Sequence, residues 1–227
     1  MSNKKYMKNF LRYKYLLIEL VKKNIKLKYR RSYLGVLWTL IEPLLQMLVM
    51  TLVFGTFFGN DDPTYPVYIL TGRLLFGFFS SSTKSGLKSV SSNASMIKKV
   101  YVPKYIYVLS SVLSNFVTFL ISLIVLVGVG AVLNVKPTIY LTQAILPLLI
   151  VFVLAIGLSL ILATMNVFFR DIEYIWEVFC TLMFYMVPII YPLQQIRTQW
   201  IEWVIKLNPL YSMLELFRQC VLYCMPM

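Results

Sequence analysis

Five stretches of this chain, 34–58, 66–82, 105–133, 141–169 and 172–191, are predominantly apolar. Each is close to the roughly 20 residues that cross about 30 Å of hydrocarbon. Inside lipid a spanning segment must satisfy its own backbone hydrogen bonds, so the sequence reads as an all-α integral membrane protein with five full transmembrane helices. Composition agrees, with 59% hydrophobic residues, a mean hydropathy of +0.74 and no histidine. No polar segment is long enough to hold a separate core. The organisation expected is an N-terminal segment, 1–33, followed by one membrane domain, 34–227.

Charge then sets the orientation. Eleven of the 22 basic residues lie within the first 31 positions, whereas the loop at 59–65 has none and carries Asp61 and Asp62. The next loop holds Lys84, Lys88, Lys98, Lys99 and Lys104, and the one after it only Lys136. The positive-inside rule therefore predicts a cytoplasmic N-terminus, with Arg170, Asp171 and Glu173 inside and the residues after 191 beginning outside. A net charge of +13 distributed in this way reports membrane orientation, and nucleic acid is not expected as a partner.

Residues 10–31 form an amphipathic pattern: Arg12, Glu19, Lys22, Lys23, Lys26 and Arg30 share one arc, opposite Phe10, Tyr13, Leu17, Leu20, Val21, Ile25 and Leu27. Such a helix lies along a membrane interface. Lys14 and Lys28 break the apolar arc. In the loop at 83–104, Ser92 or Asn93 can cap a short helix starting at Ala94, Lys98 and Lys99 suit its C-terminal end, and Pro103 stops it. From spacing alone, a basic connector resting on anionic headgroups is an equal reading. Beyond the fifth stretch, Pro188 and Pro192 interrupt the pattern. The apolar segments within 198–223 are too short to cross and are predicted as outer re-entrant or surface helices.

Polar groups within the spans are the candidates for function. Glu42 lies about 12 Å along the first span, with Thr39 and Gln46 on the same face at i−3 and i+4. An ionisable group at that depth commonly lines a pathway. The alternative is a protonated Glu42 beside a kink at Pro43. Arg73 enters the second span from the other side, and the depths of the two charges differ by roughly 9 Å, too far for a direct salt bridge without tilt. Arg73 either snorkels to headgroups or attracts an anionic substrate. Phe54, Phe57, Phe58, Phe76, Phe78, Phe79, Tyr185 and Tyr191 concentrate near the predicted outer half. Sugar rings can slide on such faces, but for any one of them a lipid-facing aromatic belt is the expectation.

Enzymatic chemistry finds no foothold. No G-x-x-x-x-G-K-[ST] phosphate loop occurs, and without histidine neither a Ser-His nor a Cys-His pair can form. Cys180, Cys220 and Cys224 make no convincing zinc set and are expected to pack as small apolar residues. No metal or cofactor is expected in this chain, and a pump built from it needs a separate motor.

Four motifs, in order, carry a resemblance over nearly the whole chain. K-Y-R-R-S-Y-L-G-V-L-W-T-L-I-E-P-L at 28–44, N-A-S-M-I-K-K-V-Y-V-P at 93–103, N-V-F-F-R-D at 166–171, and P-I-I-Y-P at 188–192 with N-P at 208–209 resemble the type-2 ABC exporter permeases that move O-antigen, capsular polysaccharide and teichoic acid chains. The resemblance implies a homodimer in the bacterial cytoplasmic membrane, bound to ABC ATPase subunits that carry the ATP and Mg. It implies a coupling helix formed by Asn93, Ala94, Met96, Ile97, Lys98, Lys99 and Pro103, and a gate helix bearing Arg12, Lys22, Lys23, Lys26, Arg30 and Arg31. A path for lipid-linked polysaccharide would include Thr39, Glu42, Gln46, Arg73, Arg170 and Asp171. Two departures stand out: the family usually has Asn where this chain has Glu42, and it has six spans where five are legible here. The alternatives are a type-2 exporter of another cargo, such as a drug or lipid, and a membrane-embedded glycan-processing enzyme.

Overall fold

The computed structural model describes residues 2–30, 32–58, 62–99, 101–135, 139–191 and 199–223. The described residues are almost entirely helical. In chain order they form α1 (Ser2–Tyr29), α2 (Trp38–Phe58), α3 (Tyr65–Ser92), α4 (Ala94–Lys99), α5 (Tyr105–Val132), α6 (Ile145–Phe168), α7 (Ile172–Met186), α8 (Gln199–Lys206) and α9 (Pro209–Val221), with 3₁₀ turns at Gly35–Leu37 and Ile139–Thr142.

Among the described residues, three helical segments are long and apolar enough to cross a membrane by length and composition: Gly35–Thr56, Tyr105–Val132 and Ile145–Phe168. The two other predicted spans take a different form. α3 runs on to Ser92, ten residues past the expected end at 82, because no proline interrupts Thr83–Ser92 and the one glycine there, Gly86, is packed within the helix. α7 stops at Met186, five residues short of the expected 191. Val187 precedes Pro188 and is extended, at φ −74 and ψ 129, as the clash with a following proline ring favours. At 15 residues α7 is about 22 Å long, less than a full hydrocarbon crossing.

α3 is the hub of the molecule, packing against α2, α5, α6, α7 and α9. Val67, Ile69, Leu70 and Leu75 are almost fully buried along it. Its approach to α6 depends on a missing side chain, since a Cβ on Gly86 would sit 2.6 Å from Cβ of Ser159. Ser159 Oγ also donates to the Ser82 carbonyl at 3.3 Å. This is close packing through small residues, as membrane helices use. Gly55 near the end of α2 makes no such approach, since a Cβ there would meet only the Tyr65 ring, at 4.0 Å. Gly86→Val should lower stability in detergent by about 1–3 kcal/mol, the usual cost of overpacking, and a denaturation series would read it.

A second, smaller core joins α1 to the start of α5. Leu17 and Leu20 of α1 meet Val102, Ile106 and Tyr107, with Ile97 of α4 packed beside them. Part of the apolar face expected to lie on the membrane is therefore seated on protein, while Ile18 and Leu27 remain exposed.

Candidate functional site

Four helices, α2, α3, α5 and α7, turn faces that carry polar residues toward one another. α2 supplies Thr39, Glu42 and Gln46; α3 supplies Arg73, Gly77, Ser80, Ser81 and Lys84; α5 supplies Asn115, Thr118 and Ser122; and α7 supplies Cys180, Thr181, Phe184 and Tyr185. These spacings of three and four place each set on one face of its helix. Between them lies a cleft of about 500 Å³, reached also by Lys28 and Tyr29 from the end of α1. The walls mix these groups with Pro43, Met50, Leu74, Phe76, Phe78 and Phe119, and the charged members, Lys28, Glu42, Arg73 and Lys84, are the ones costly to leave against hydrocarbon.

Much of the polarity is already satisfied locally. Thr39 Oγ1 donates to the Val36 carbonyl at 2.6 Å, and Ser122 Oγ donates across to the Thr39 carbonyl at 2.9 Å. Asn115 Nδ2 reaches Ser85 Oγ at 2.6 Å and ties α5 to α3.

Glu42 and Arg73 meet through an intermediary. Arg73 Nε donates to Gln46 Oε1 at 2.8 Å, and Gln46 Nε2 donates to Glu42 Oε1 at 3.3 Å. No direct Glu42–Arg73 ion pair occurs among the described residues, as the difference in depth predicted. Gln46 sits one helical turn beyond Glu42, about 6 Å along the axis, and so covers most of that gap. Arg73 also lies over the Phe184 ring, 5.5 Å from its centroid. It points into the cleft rather than out to headgroups.

Toward the α4 end of α3, two ion pairs fasten α3 to α7. Lys84 pairs with Glu177 at 3.3 Å and Lys88 with Glu173, while Trp176 Nε1 donates to Thr83 Oγ1 at 3.0 Å. Exposed pairs of this kind are worth little stability, about 0–1 kcal/mol each. Their one-turn spacing matches on both helices, in the register in which α7 lies along α3.

Residues 15–222 match the family model described as ABC-2 type transporter. The chain belongs to the ABC-2 type transporter family. Among similar proteins, the O-antigen export system permease protein RfbA of Myxococcus xanthus is 32% identical over 207 residues, covering 91% of this chain and 80% of that protein. RfbA of Klebsiella pneumoniae is 34% identical, with 89% and 78% covered. The polysialic acid transport protein KpsM of Escherichia coli is 21% identical, with 88% and 78% covered.

Within this ABC-2 chain, the cleft gathers Thr39, Glu42, Gln46 and Arg73 but not every residue expected on the path. Arg170 and Asp171 lie exposed on the turn between α6 and α7 and do not line the cleft. Of the basic residues expected on the gate helix, Lys22, Lys23, Lys26 and Arg30 are exposed, and Lys22 pairs with Glu19 at 2.9 Å. Arg31 and the side chain of Arg12 lie outside the described residues.

The expected coupling segment is mostly open to contact: Ala94, Met96, Lys98 and Lys99 are exposed, and Pro103 is half-buried. Ile97 instead turns inward to the α1–α5 core. Asn93 does not cap α4 with its side chain. Its Nδ2 donates backward to the Ser89 carbonyl at 2.8 Å, satisfying one of the orphan carbonyls at the end of α3, and only its backbone carbonyl receives Met96 and Ile97 N–H groups. The helix it starts ends at Lys99, before Pro103.

The sequence does not point to the polar α5 face of Asn115, Thr118 and Ser122, nor to Ser80, Ser81 and Thr181, as cleft residues, and it misses two lysines there. Lys28 had left a signal as one of the lysines that break the apolar arc of α1. Lys84 stands eleven residues after Arg73, three helical turns along the same face, and that spacing could have found it. The aromatic belt is corrected: Phe76, Phe78 and Phe79 are buried rather than lipid-facing. Phe78 packs with Phe116, Phe119 and Phe152 because the face of α3 that bears it is turned toward α5 and α6. Tyr185 stays exposed, and the side chains of Phe57 and Phe58 lie outside the described residues. Cys180 and Cys220 are buried, and Cys224 lies outside the described residues.

Proposed function

We propose that this chain is the membrane subunit of an ATP-driven exporter of a cell-surface polysaccharide, carried on a lipid, in a bacterial cytoplasmic membrane. The cleft carries the reading: four facing helix stripes combine hydroxyl, amide, charged and aromatic groups, which is the chemistry that lets a hydroxyl-rich chain pass without binding tightly. The relatives named for O-antigen export and polysialic acid transport support that class of cargo.

The N-terminus lies in the cytoplasm, as the lysine and arginine distribution favours. A second copy of the chain closes the polar wall that hydrocarbon cannot cover. ATP and Mg are bound by a separate ATPase subunit, which docks on the exposed side of α4. Only one residue separates α3 from α4, so a push on α4 is delivered to α3 and, through the Lys84–Glu177 and Lys88–Glu173 pairs, to α7. Two walls of the cleft then move together. Lys28, on the gate helix, stands where the anionic pyrophosphate of a lipid carrier would be drawn in.

Reconstitution of the chain with its ATPase in vesicles tests this. ATP-dependent movement of a lipid-linked glycan to the far side is expected, with no chemical change to the glycan. Turnover of the glycan without ATPase would instead assign a glycan-processing enzyme, and movement of a lipid or drug but no glycan would assign another cargo.

A further inference from the structure

The largest fully buried side chain among the described residues carries a full charge and lies outside the cleft described above. Arg218, on α9, is 0% exposed, and no carboxylate pairs with it among the described residues. Its Nη1 donates to the Pro188 carbonyl at 2.8 Å, and its Nη2 donates to the carbonyls of Tyr68 at 3.1 Å and Ile189 at 3.2 Å. The guanidinium plane stacks on the Tyr68 ring, 3.5 Å from the centroid. Gly72 makes room for it, since a Cβ there would lie 2.8 Å from Nη2 and 3.3 Å from Cα of Ile189.

The carbonyls explain the arginine. Residues 187–191 leave the helix at Pro188, so their backbone acceptors have no ladder to join, yet Val187, Ile189 and Ile190 are buried. Buried acceptors need donors from side chains. Tyr65 Oη donates to the Ile190 carbonyl at 2.8 Å, and Tyr68 Oη approaches the carbonyls of Pro188 at 3.2 Å and Tyr191 at 3.1 Å. A guanidinium adds what neither tyrosine can, several N–H donors fixed in one plane that serve two chain segments at once.

The segment so held is continuous with the cleft. Phe184 and Tyr185, in the last turn of α7, line it, and Tyr191 Oη donates back to the Tyr185 carbonyl at 2.8 Å. We propose that Arg218 is a positioning residue: it clamps 187–191 onto α3 and thereby fixes where Phe184 and Tyr185 close one end of the cleft. The functional half of this statement rests on the exporter reading; the structural half does not.

The test uses the full permease and ATPase complex in lipid nanodiscs and in cells. Arg218→Met keeps the volume and removes the donors, Arg218→Lys keeps the charge without the fork, and Gly72→Ala crowds the guanidinium from the opposite helix. In Arg218→Met, hydrogen exchange should quicken about tenfold or more at the amides of 187–191 and stay unchanged in α5 and α6. Gly72→Ala should follow it, and Arg218→Lys should fall between. Export per ATP hydrolysed should drop about tenfold in Arg218→Met, because a loosened end of the cleft moves without its cargo. Unchanged exchange at 187–191, or exchange raised evenly through the whole chain, would overturn the clamp. Faster exchange with undiminished export per ATP would overturn its role in closing the cleft. A wild-type complex that moves no glycan would overturn the exporter reading instead, and the exchange measurement would still decide the clamp.

Discussion

Arg73→Met is expected to reduce export by about tenfold or more while leaving ATPase binding intact. The substitution removes the charge-assisted bond to Gln46 and the stack on Phe184 together. A hydrogen bond to a charged group contributes about 1.5–3 kcal/mol, equivalent to roughly 10–150-fold in a rate that depends on it. Glu42 would then face the cleft with Gln46 no longer held on its other side. Arg73→Lys should recover part of the loss, because an ammonium can reach one acceptor but lacks the planar face for Phe184. Surface glycan measured against the amount of assembled complex checks this, and full export by Arg73→Met would remove Arg73 from the path.

Ile97→Asp should have the larger effect and should act by a different route. Ile97 is packed beside Leu17 and Leu20 of α1 and Ile106 and Tyr107 of α5, so the change gives up apolar burial and places a carboxylate in that core. Ile97 is half-buried, so the apolar loss is about half of the roughly 1.5–3 kcal/mol of a fully buried side chain, and the carboxylate placed against apolar neighbours adds to it. The expected result is detachment of α4 from α1, loss of ATPase co-purification and no measurable export. Lys98→Asp, on the exposed side of α4, separates the two roles. It should leave the permease as stable as the parent yet weaken ATPase binding, since only the outward charge is reversed. Retained ATPase binding and undiminished export in both variants would dismiss α4 as the coupling element.

The two experiments also mark how far a linear reading reached. The Thr39, Glu42 and Gln46 stripe was visible because residues three and four apart share a helix face whatever surrounds it. Spacing also separated Glu42 from Arg73 in depth, and the helices kept them apart; Gln46 as the bridge required knowing that α2 and α3 are neighbours in a particular rotation. The extra length of α3 and the shortness of α7 trace to local chemistry, the absence of a proline before Ser92 and the presence of Pro188. Phe76, Phe78 and Phe79 were harder, since an aromatic in a membrane helix can face lipid or protein and its own sequence neighbourhood is apolar in either case.

Arg218 marks the boundary most sharply. By sequence it is one basic residue in the last turn of a short amphipathic helix, a position that ordinarily suggests a solvated end. Its burial depends on carbonyls exposed by a proline 30 residues earlier and on a glycine and a tyrosine of α3 about 150 residues away. Apolar runs, charge bias and motif order are properties of adjacent residues, so the sequence by itself determined the membrane class, the helical elements and the family. Which stripes face each other, and which carbonyls need a donor, are properties of distant segments brought together. Helical periodicity names a face but not its partner, and only the tertiary structure decided the cleft, the Arg73–Gln46–Glu42 chain and the burial of Arg218.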